Sequence, residues 1–476
     1  MSGKAIAKNS IYLITASIFQ KILAFFYFVI LTRNLPTETV GIYTFAMSFC
    51  FIFAVFIDFG FNSLLIKETA RDEKNINKYA SYAILFKLFS GILFCLIGAV
   101  IAYFSNYDPL KLQTVLLGFI LVFIDGFATT FYSILRGRQK IFFESLGLFL
   151  YQLIIFVLGY LAITGGITIP TIMFIPIIAI TFAFLFSLYF LKRETEFKFD
   201  KNISWKFFKA MFIMALPFAA TGICTKLYSS IDTVLISSMI NDTSVAWYQA
   251  AYKIVFAFYF IPNAIGAAIF PAFSNYFHND KNKLNITFEK TFLILSILAI
   301  PASFGLYILA EPIVLLIYPN YLPTIPVLKA FSFIFFFLFL NVPSGLILSS
   351  CNKQILNTRN SFFSMIINIV LNIILIPKYQ ITGAAIASVI SFVFLFIINT
   401  YGANKIIEIK NKKIFSYVSR ILLASIAMAL FTYFSNINLF LNIIISATIY
   451  SVMLFIFRVL TKNQIKSWIN IFTKKA

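Results

Sequence analysis

Seven ionisable side chains sit well inside long apolar runs of this chain: Lys21, Asp58, Lys87, Asp125, Lys226, Asp232 and Lys253. A charge in hydrocarbon is costly, so such residues usually face a bundle interior or a wet cavity. Lys21 stands about 11 residues into the first run, roughly 16 Å deep at about 1.5 Å per residue and so near the midplane. From there it does not easily snorkel to water. Ser10, Ser17 and Gln20 lie on or beside the same face and give that helix a polar stripe. Lys226 is mid-run in the seventh span. An ammonium binds phosphate as a point charge. Two midplane lysines on corresponding helices therefore make a basic site for an anionic group; the alternative for Lys21 is an ion pair with Asp58 or Asp125. Lys87 and Lys253 stand closer to a membrane edge, so each either lines the same cavity or snorkels.

Asp232 follows Lys226 by six residues, so the two side chains point about 120° apart on one helix. The carboxylate shares its face with Thr221, Thr225 and Ser229. Asn368 and Asn372, at i and i+4, share a face of the eleventh span, and Ser388 and Ser391 lie at similar depth in the twelfth. A carboxylate with amide and hydroxyl oxygens suits Na⁺ or H⁺ as a coupling ion; interhelical hydrogen bonding is the other reading. Asp58 and Asp125 are further coupling candidates, with pairing to Lys87 or Lys21 as the alternative. Cys50, Cys95, Cys224 and Cys351 have no disulfide or metal spacing, and His278 is the single histidine. No transition-metal site, cofactor or catalytic nucleophile is expected, and the chain is not read as an enzyme.

The elements that position these residues are membrane helices. Hydrophobic residues make up 61% of the 476 positions and charged residues only 12%, with a mean hydropathy of +0.93. A soluble domain has about 25% charged residues. About 14 spans follow, near 11–32, 42–66, 80–104, 112–135, 142–164, 168–191, 209–238, 247–275, 289–309, 324–349, 359–378, 381–402, 415–434 and 438–459. The net charge of +21 does not point to nucleic acid. With the N-terminus inside and loops alternating, 29 of the 38 Lys and Arg fall on inside segments, six within spans and only Arg33, Lys111 and Lys378 outside. That bias predicts cytoplasmic N- and C-termini in the cell membrane, with contact to anionic membrane lipids as a secondary role.

The basic connection 192–208 divides two six-span lobes, 1–191 and 209–404; residues 405–476 add two spans and a basic tail. The two lobes look weakly alike. "LTRNLPTETVGIYTFAMSF" (31–49) and "LISSMINDTSVAWYQAAYK" (235–253) each run from a hydrophobic exit through a polar turn to a small or aromatic residue. This fits a pseudo-two-fold axis along the membrane normal. Pro217, Pro262, Pro271, Pro301 and Pro343 fall within spans, where each removes a backbone hydrogen bond and bends the helix.

The segment 31–71, with its Gly-Ile-Tyr and Asp-Phe-Gly, resembles the opening of polysaccharide-exporter flippases. "LPFAATGICTKLYSSIDTVLISSMI" (216–240), "IFPAFSNYF" (269–277) and "LNIILIPKYQITGAAIASVIS" (371–391) are similar to later parts of the same family. The family is the lipid-linked oligosaccharide flippases of the multidrug/oligosaccharidyl-lipid/polysaccharide exporter superfamily. The resemblance implies two six-helix bundles forming a V, with two extra helices. It implies movement of polyprenyl-pyrophosphate glycans to the outer leaflet, driven by an ion gradient, with glycosyltransferases and a polymerase of the same pathway as partners. Lys21 matches the midcavity cation of helix one, and Lys226 and Asp232 match the cation and acid of helix seven. Relatives with cavity arginines would hold phosphate in two-pronged fashion, which lysine does not. A peptidoglycan-precursor flippase has the same cavity pattern. A multidrug antiporter of this fold predicts an acid where helix one has Lys21. A membrane glycosyltransferase needs larger outside loops than 239–246 and 310–323, and a purely structural scaffold leaves the midplane lysines unexplained.

Overall fold

A computed structural model describes residues 3–72, 75–166, 169–200, 204–408, 411–435 and 437–460. The expected basic tail with Lys462, Lys466, Lys474 and Lys475 lies outside the described residues, as do Lys74, Lys201 and Lys410 and the side chains of Lys4, Lys8 and Ser10. Every described element is helical, as hydrocarbon demands of a chain that must satisfy its own backbone. The helices are α1 (Gly3–Asn34), α2 (Thr37–Asp58), α3 (Phe61–Arg71), α4 (Ile76–Phe104), α5 (Pro109–Gly137), α6 (Ile141–Thr164), α7 (Ile169–Thr195) and α8 (Trp205–Met239). They continue with α9 (Asp242–Ala257), α10 (Phe260–Asn279), α11 (Lys281–Ile308), α12 (Ala310–Ile317), α13 (Thr324–Ser350), α14 (Gln354–Asn404), α15 (Asn411–Phe434) and α16 (Leu439–Ile456).

Among the described residues, 13 helical stretches are long and apolar enough to cross a membrane. One of them, α14, has 51 residues. As a single rod it would reach about 76 Å, more than twice a hydrocarbon core of about 30 Å. It is a hairpin. Gln380 has φ 51° and ψ −137°. A Cβ at Gly383 would fall on the Leu375 carbonyl, which a continuous helix carries far out of reach. Asn360 Nδ2 donates to Asn399 Oδ1 at 2.8 Å and Ser364 Oγ to the Ser391 carbonyl at 2.8 Å, pairing the limbs antiparallel. Counting both limbs gives the 14 expected spans.

By packing, the chain divides into two units at Gln249 and Ala250. In the first, α5 packs against α2, α4 and α7, α1 against α6, and α8 against α2 and α3. Helix α8, which the sequence places at the head of the second lobe, thus sits by its contacts with the first unit. In the second, α13 packs against α10, α11 and α14, and the appended α15 against α11 and α16. Ile300, Ile421, Ala424 and Leu454 form the buried seam that fastens the last two helices to α11.

Two spans are broken rather than continuous. The run at 42–66 stops as α2 at Asp58 and restarts as α3 at Phe61. Phe59 and Gly60 adopt left-handed backbone, φ 44° and 78°. A Cβ at Gly60 would lie 2.6 Å from Ala219 N and 2.7 Å from the Ala215 carbonyl, so the break seats directly on the α8 backbone beside Pro217. The eighth span breaks between α9 and α10, just before Pro262. The second span of each expected lobe is therefore the interrupted one, and interrupted helices are where transporters build sites.

Candidate functional site

In the first unit, α1 and α8 bring Lys21 and Lys226 within electrostatic reach of each other. Both lysines are exposed, and Ser17 and Gln20 beside Lys21 are half-buried. On α8, Thr221, Thr225 and Ser229 are also exposed. Their hydroxyls donate to the carbonyls of Pro217 (3.1 Å), Thr221 (2.8 Å) and Lys226 (3.0 Å). This back-bonding satisfies the hydroxyl protons within the helix. The Lys226 ammonium lies 4.9 Å from the centre of the Phe51 ring, a favourable cation–π distance. Asp125 of α5 is half-buried and feels the fields of Lys226, Lys87 and Asp58.

Lys87 corrects one expectation. It does not line a cavity: it is 0% exposed. Its ammonium pairs with Asp58 Oδ1 at 2.8 Å and donates to Asn62 Oδ1 at 2.7 Å and the Gly126 carbonyl at 3.0 Å. Lysine has three protons to give, and all three are used inside the protein. Asp58, expected as a coupling candidate, takes the ion-pair alternative. It also accepts the Asn62 N–H at 3.2 Å, in the first turn of α3. The pair closes the α2–α3 break and ties it to α4 and α5. Subtracting it leaves, among the described residues, Lys21 and Lys226 with Asp125 as the carboxylate in the field of Lys226, a site with excess positive charge.

Asp232 of α8 is buried and accepts the Tyr248 hydroxyl of α9 at 2.6 Å. One residue further along each helix, Gln249 Nε2 donates to Thr233 Oγ1 at 2.6 Å. Asn368 and Asn372 lie in the α14 hairpin of the second unit. Asn368 Nδ2 donates to Ser388 Oγ at 3.3 Å, and Asn372 Nδ2 to the Asn368 carbonyl at 2.9 Å. Asn368 Oδ1 is buried and accepts no hydrogen bond among the described residues. An orphaned amide oxygen of this kind fits a small hard cation, which takes oxygen ligands. Lys253 is half-buried on α9 in the second unit. Among the described residues no group of three His, Cys, Asp or Glu could hold a metal.

Sequence reading passed over Lys111. It stands near the start of α5 and is only 7% exposed. Its ammonium meets both Asp242 carboxylate oxygens at 2.9 Å and donates to Ser237 Oγ at 2.7 Å. It also lies 4.1 Å from the Phe45 ring centre and 4.6 Å from that of Tyr107. A Cβ at Gly41 would collide with the Asp242 carbonyl, so α2 meets the start of α9 backbone to backbone. These contacts clamp the ends of α2, α5, α8 and α9 together. A signal was available: the positive-inside reading of the sequence leaves Lys111 as one of only three cations on the expected outside.

Comparison with known proteins follows the same line. The family described as "Polysaccharide biosynthesis protein" matches residues 6–277, and the MatE family matches residues 217–374. The chain is 22% identical over 98% of its length, and 99% of the relative's, to the "Probable low-salt glycan biosynthesis flippase" of Haloferax volcanii. It is 21% identical to a capsular polysaccharide biosynthesis protein of Staphylococcus aureus, covering 81% of this chain and 96% of that one. Among solved structures, the lipid II flippase MurJ in an inward closed conformation superposes with a TM-score of 0.78 at 18% identity, covering 93% of this chain and 98% of that one. The fold is thus shared with that structure.

Proposed function

The chain belongs to the polysaccharide biosynthesis protein family, and on that footing we propose that it is a flippase. It moves a polyprenyl-(pyro)phosphate-linked oligosaccharide from the cytoplasmic to the outer leaflet, by alternating access coupled to an ion gradient, for cell-surface polysaccharide or glycan synthesis. The observation that carries this reading is the pair Lys21 and Lys226, two exposed cations on membrane helices that lie within each other's field, with the Asp125 carboxylate within that of Lys226.

Like charges brought together in a membrane protein call for an anion between them. The (pyro)phosphate supplies it while the polyprenyl tail stays in lipid. Gln20, Ser17 and the α8 hydroxyls offer hydrogen bonds to the phosphate or the first sugar. Asp125 gives Lys226 a carboxylate to return to when the headgroup leaves, so binding is an exchange of partners and stays reversible. Asp232 in the first unit and, separately, the Asn368–Asn372 pair in the second are the candidates for a coupling ion, Na⁺ or H⁺. The Lys111–Asp242 clamp closes one end of α8, which carries Lys226, against α2, α5 and α9.

The test is flipping of a fluorescent polyprenyl-pyrophosphate saccharide in proteoliposomes under an imposed ion gradient. Wild type should flip it; Lys21→Ala and Lys226→Ala should not, while melting at the wild-type temperature because both side chains are exposed. Near-normal flipping by the double variant removes the basic-site mechanism. Export of a cationic dye, with no flipping across glycan and peptidoglycan-precursor substrates, assigns the chain to drug antiport instead.

A further inference from the structure

Where α15 lies against α11, the second unit carries a cavity of about 120 Å³. Its deeper wall is apolar, with Phe292, Leu293 and Val418; its rim is Glu289, Lys290 and Lys413. Lys413 stands at the start of α15, beside Lys412 and after Lys405, and Glu289 and Lys290 lie in the third turn of α11, whose first turn carries Lys281 and Lys283. Positive charge and apolar wall are therefore stacked along the membrane normal, one turn apart.

The charges are unevenly spent. Glu289 Oε2 pairs with Lys413 Nζ at 2.6 Å. Lys290, Lys412 and Arg420 are exposed and have no acidic partner among the described residues. Arg420 lies within the α15 span, on the face of Lys413 and about 10 Å deeper. A cation at that depth reaches back toward the headgroup level. Tyr417, between the two on that face, has the amphipathic character of an interfacial residue.

We propose that this recess binds an anionic glycerophospholipid of the surrounding leaflet. Its phosphate sits at Lys290 and Lys413, its upper acyl chain lies along Phe292, Leu293 and Val418, and Arg420 reaches up to the headgroup. A zwitterionic lipid brings its own cation to the same rim and is repelled. The lipid bridges α11 and α15, fastening the appended helices to the bundle. The ligand is a membrane component, so the inference is independent of the transported substrate.

The test uses the full chain in detergent, titrated with dioleoyl-phosphatidylglycerol or dioleoyl-phosphatidylcholine and followed by native mass spectrometry and thermal melting. Wild type should prefer phosphatidylglycerol and melt higher in its presence. Each cation near a headgroup is worth about fivefold in affinity. Lys290→Gln with Arg420→Gln should therefore weaken phosphatidylglycerol binding by about 25-fold while leaving the lipid-free melt unchanged. Glu289→Gln removes the one acid and frees Lys413, so it should tighten binding by about fivefold. Equal binding of the two lipids, a retained preference in the double variant, or weaker binding in Glu289→Gln would each overturn the proposal. The last would leave the Lys413–Glu289 pair as a fastener only.

Discussion

Replacing Lys111 by Met keeps the length of the side chain and deletes its charge. The ammonium it removes meets both Asp242 oxygens at 2.9 Å and Ser237 at 2.7 Å, with the two side chains of the pair 9% and 13% exposed. Removing one partner of a buried pair costs about 3–5 kcal/mol, because the other charge is left behind. The stranded Asp242 keeps the Ser237 hydroxyl at 2.5 Å. It also sits in the first turn of α9, where the helix dipole favours a carboxylate by about 0.3–1 kcal/mol. The loss therefore falls at the low end, about 3 kcal/mol, or roughly 150-fold in an equilibrium constant. Asp242→Asn strands the cation instead, and the Phe45 and Tyr107 faces offset about 1–2 kcal/mol of that. The double variant leaves no charge uncompensated and should recover most of either loss in a double-mutant cycle. Thr114, less than one turn deeper on α5 and fully buried, gives the reporter. As Thr114→Cys in a background without other cysteines, it should react slowly with a membrane-impermeant maleimide. Adding Lys111→Met should speed labelling by roughly 100-fold through a larger open population, and the double variant should slow it again. A lower melting temperature with an unchanged labelling rate would refute the reasoning, because the pair would then hold the fold and gate nothing.

Lys87→Met should be a folding defect and not a transport defect. It strands Asp58 at the α2–α3 break and should cost about 3–5 kcal/mol, read as a large drop in melting temperature that Asp58→Asn partly restores; a wild-type melt would contradict the buried pair. Asp232→Asn should flatten the dependence of flipping on imposed Na⁺ and pH gradients, and Tyr248→Phe should do so more weakly; an unchanged response would exclude that carboxylate from coupling. Outside the membrane, Asp280 caps α11 by accepting the Lys283 N–H at 3.0 Å. That backbone bond, with the Lys283 ammonium, holds its carboxyl below the usual carboxylate range. A lowered folded value means the cap helps above the unfolded carboxylate range and is lost as pH falls through the folded value. Acid melts of wild type and Asp280→Asn should therefore converge at low pH; a constant gap down to the acid limit would refute this.

The span count was legible because hydrocarbon leaves a chain so few choices, and α14 shows the rule at work: 51 helical residues had to fold back. The α2–α3 break was not legible. No proline marks it, and around the break the run 42–66 is interrupted only by Asp58, Asn62 and Ser63. What stops the helix is Gly60 pressed on the α8 backbone, a contact between residues more than 150 positions apart. Depth arithmetic singled out Lys21 and Lys226, which in the structure lie within electrostatic reach of each other. The same arithmetic misjudged Lys87, because its acceptors come from α2, α3 and α5 and leave no joint pattern in the sequence. Lys111 was hidden for the opposite reason: near a membrane edge, a lysine raises no energetic alarm.

Counting protons sorts these lysines better than depth does. Lys87 spends its three on a carboxylate, an amide and a backbone carbonyl, so no ligand can gain a bond from it without breaking one. Lys111 spends its own on Asp242 and Ser237 and turns its remaining surface to two rings, so it can bind an anion only by releasing the clamp. Lys226 has a ring at 4.9 Å and a carboxylate within its field, and Lys21 has another lysine within its field. Under the proposed function, these last two are the ones that would gain when a phosphate arrives, and each would gain twice: from the new bond, and from relief of the repulsion between them. Among the cations of the first unit that the sequence placed in the membrane, that asymmetry is the reason the proposed headgroup site is assigned to these two and not to Lys87.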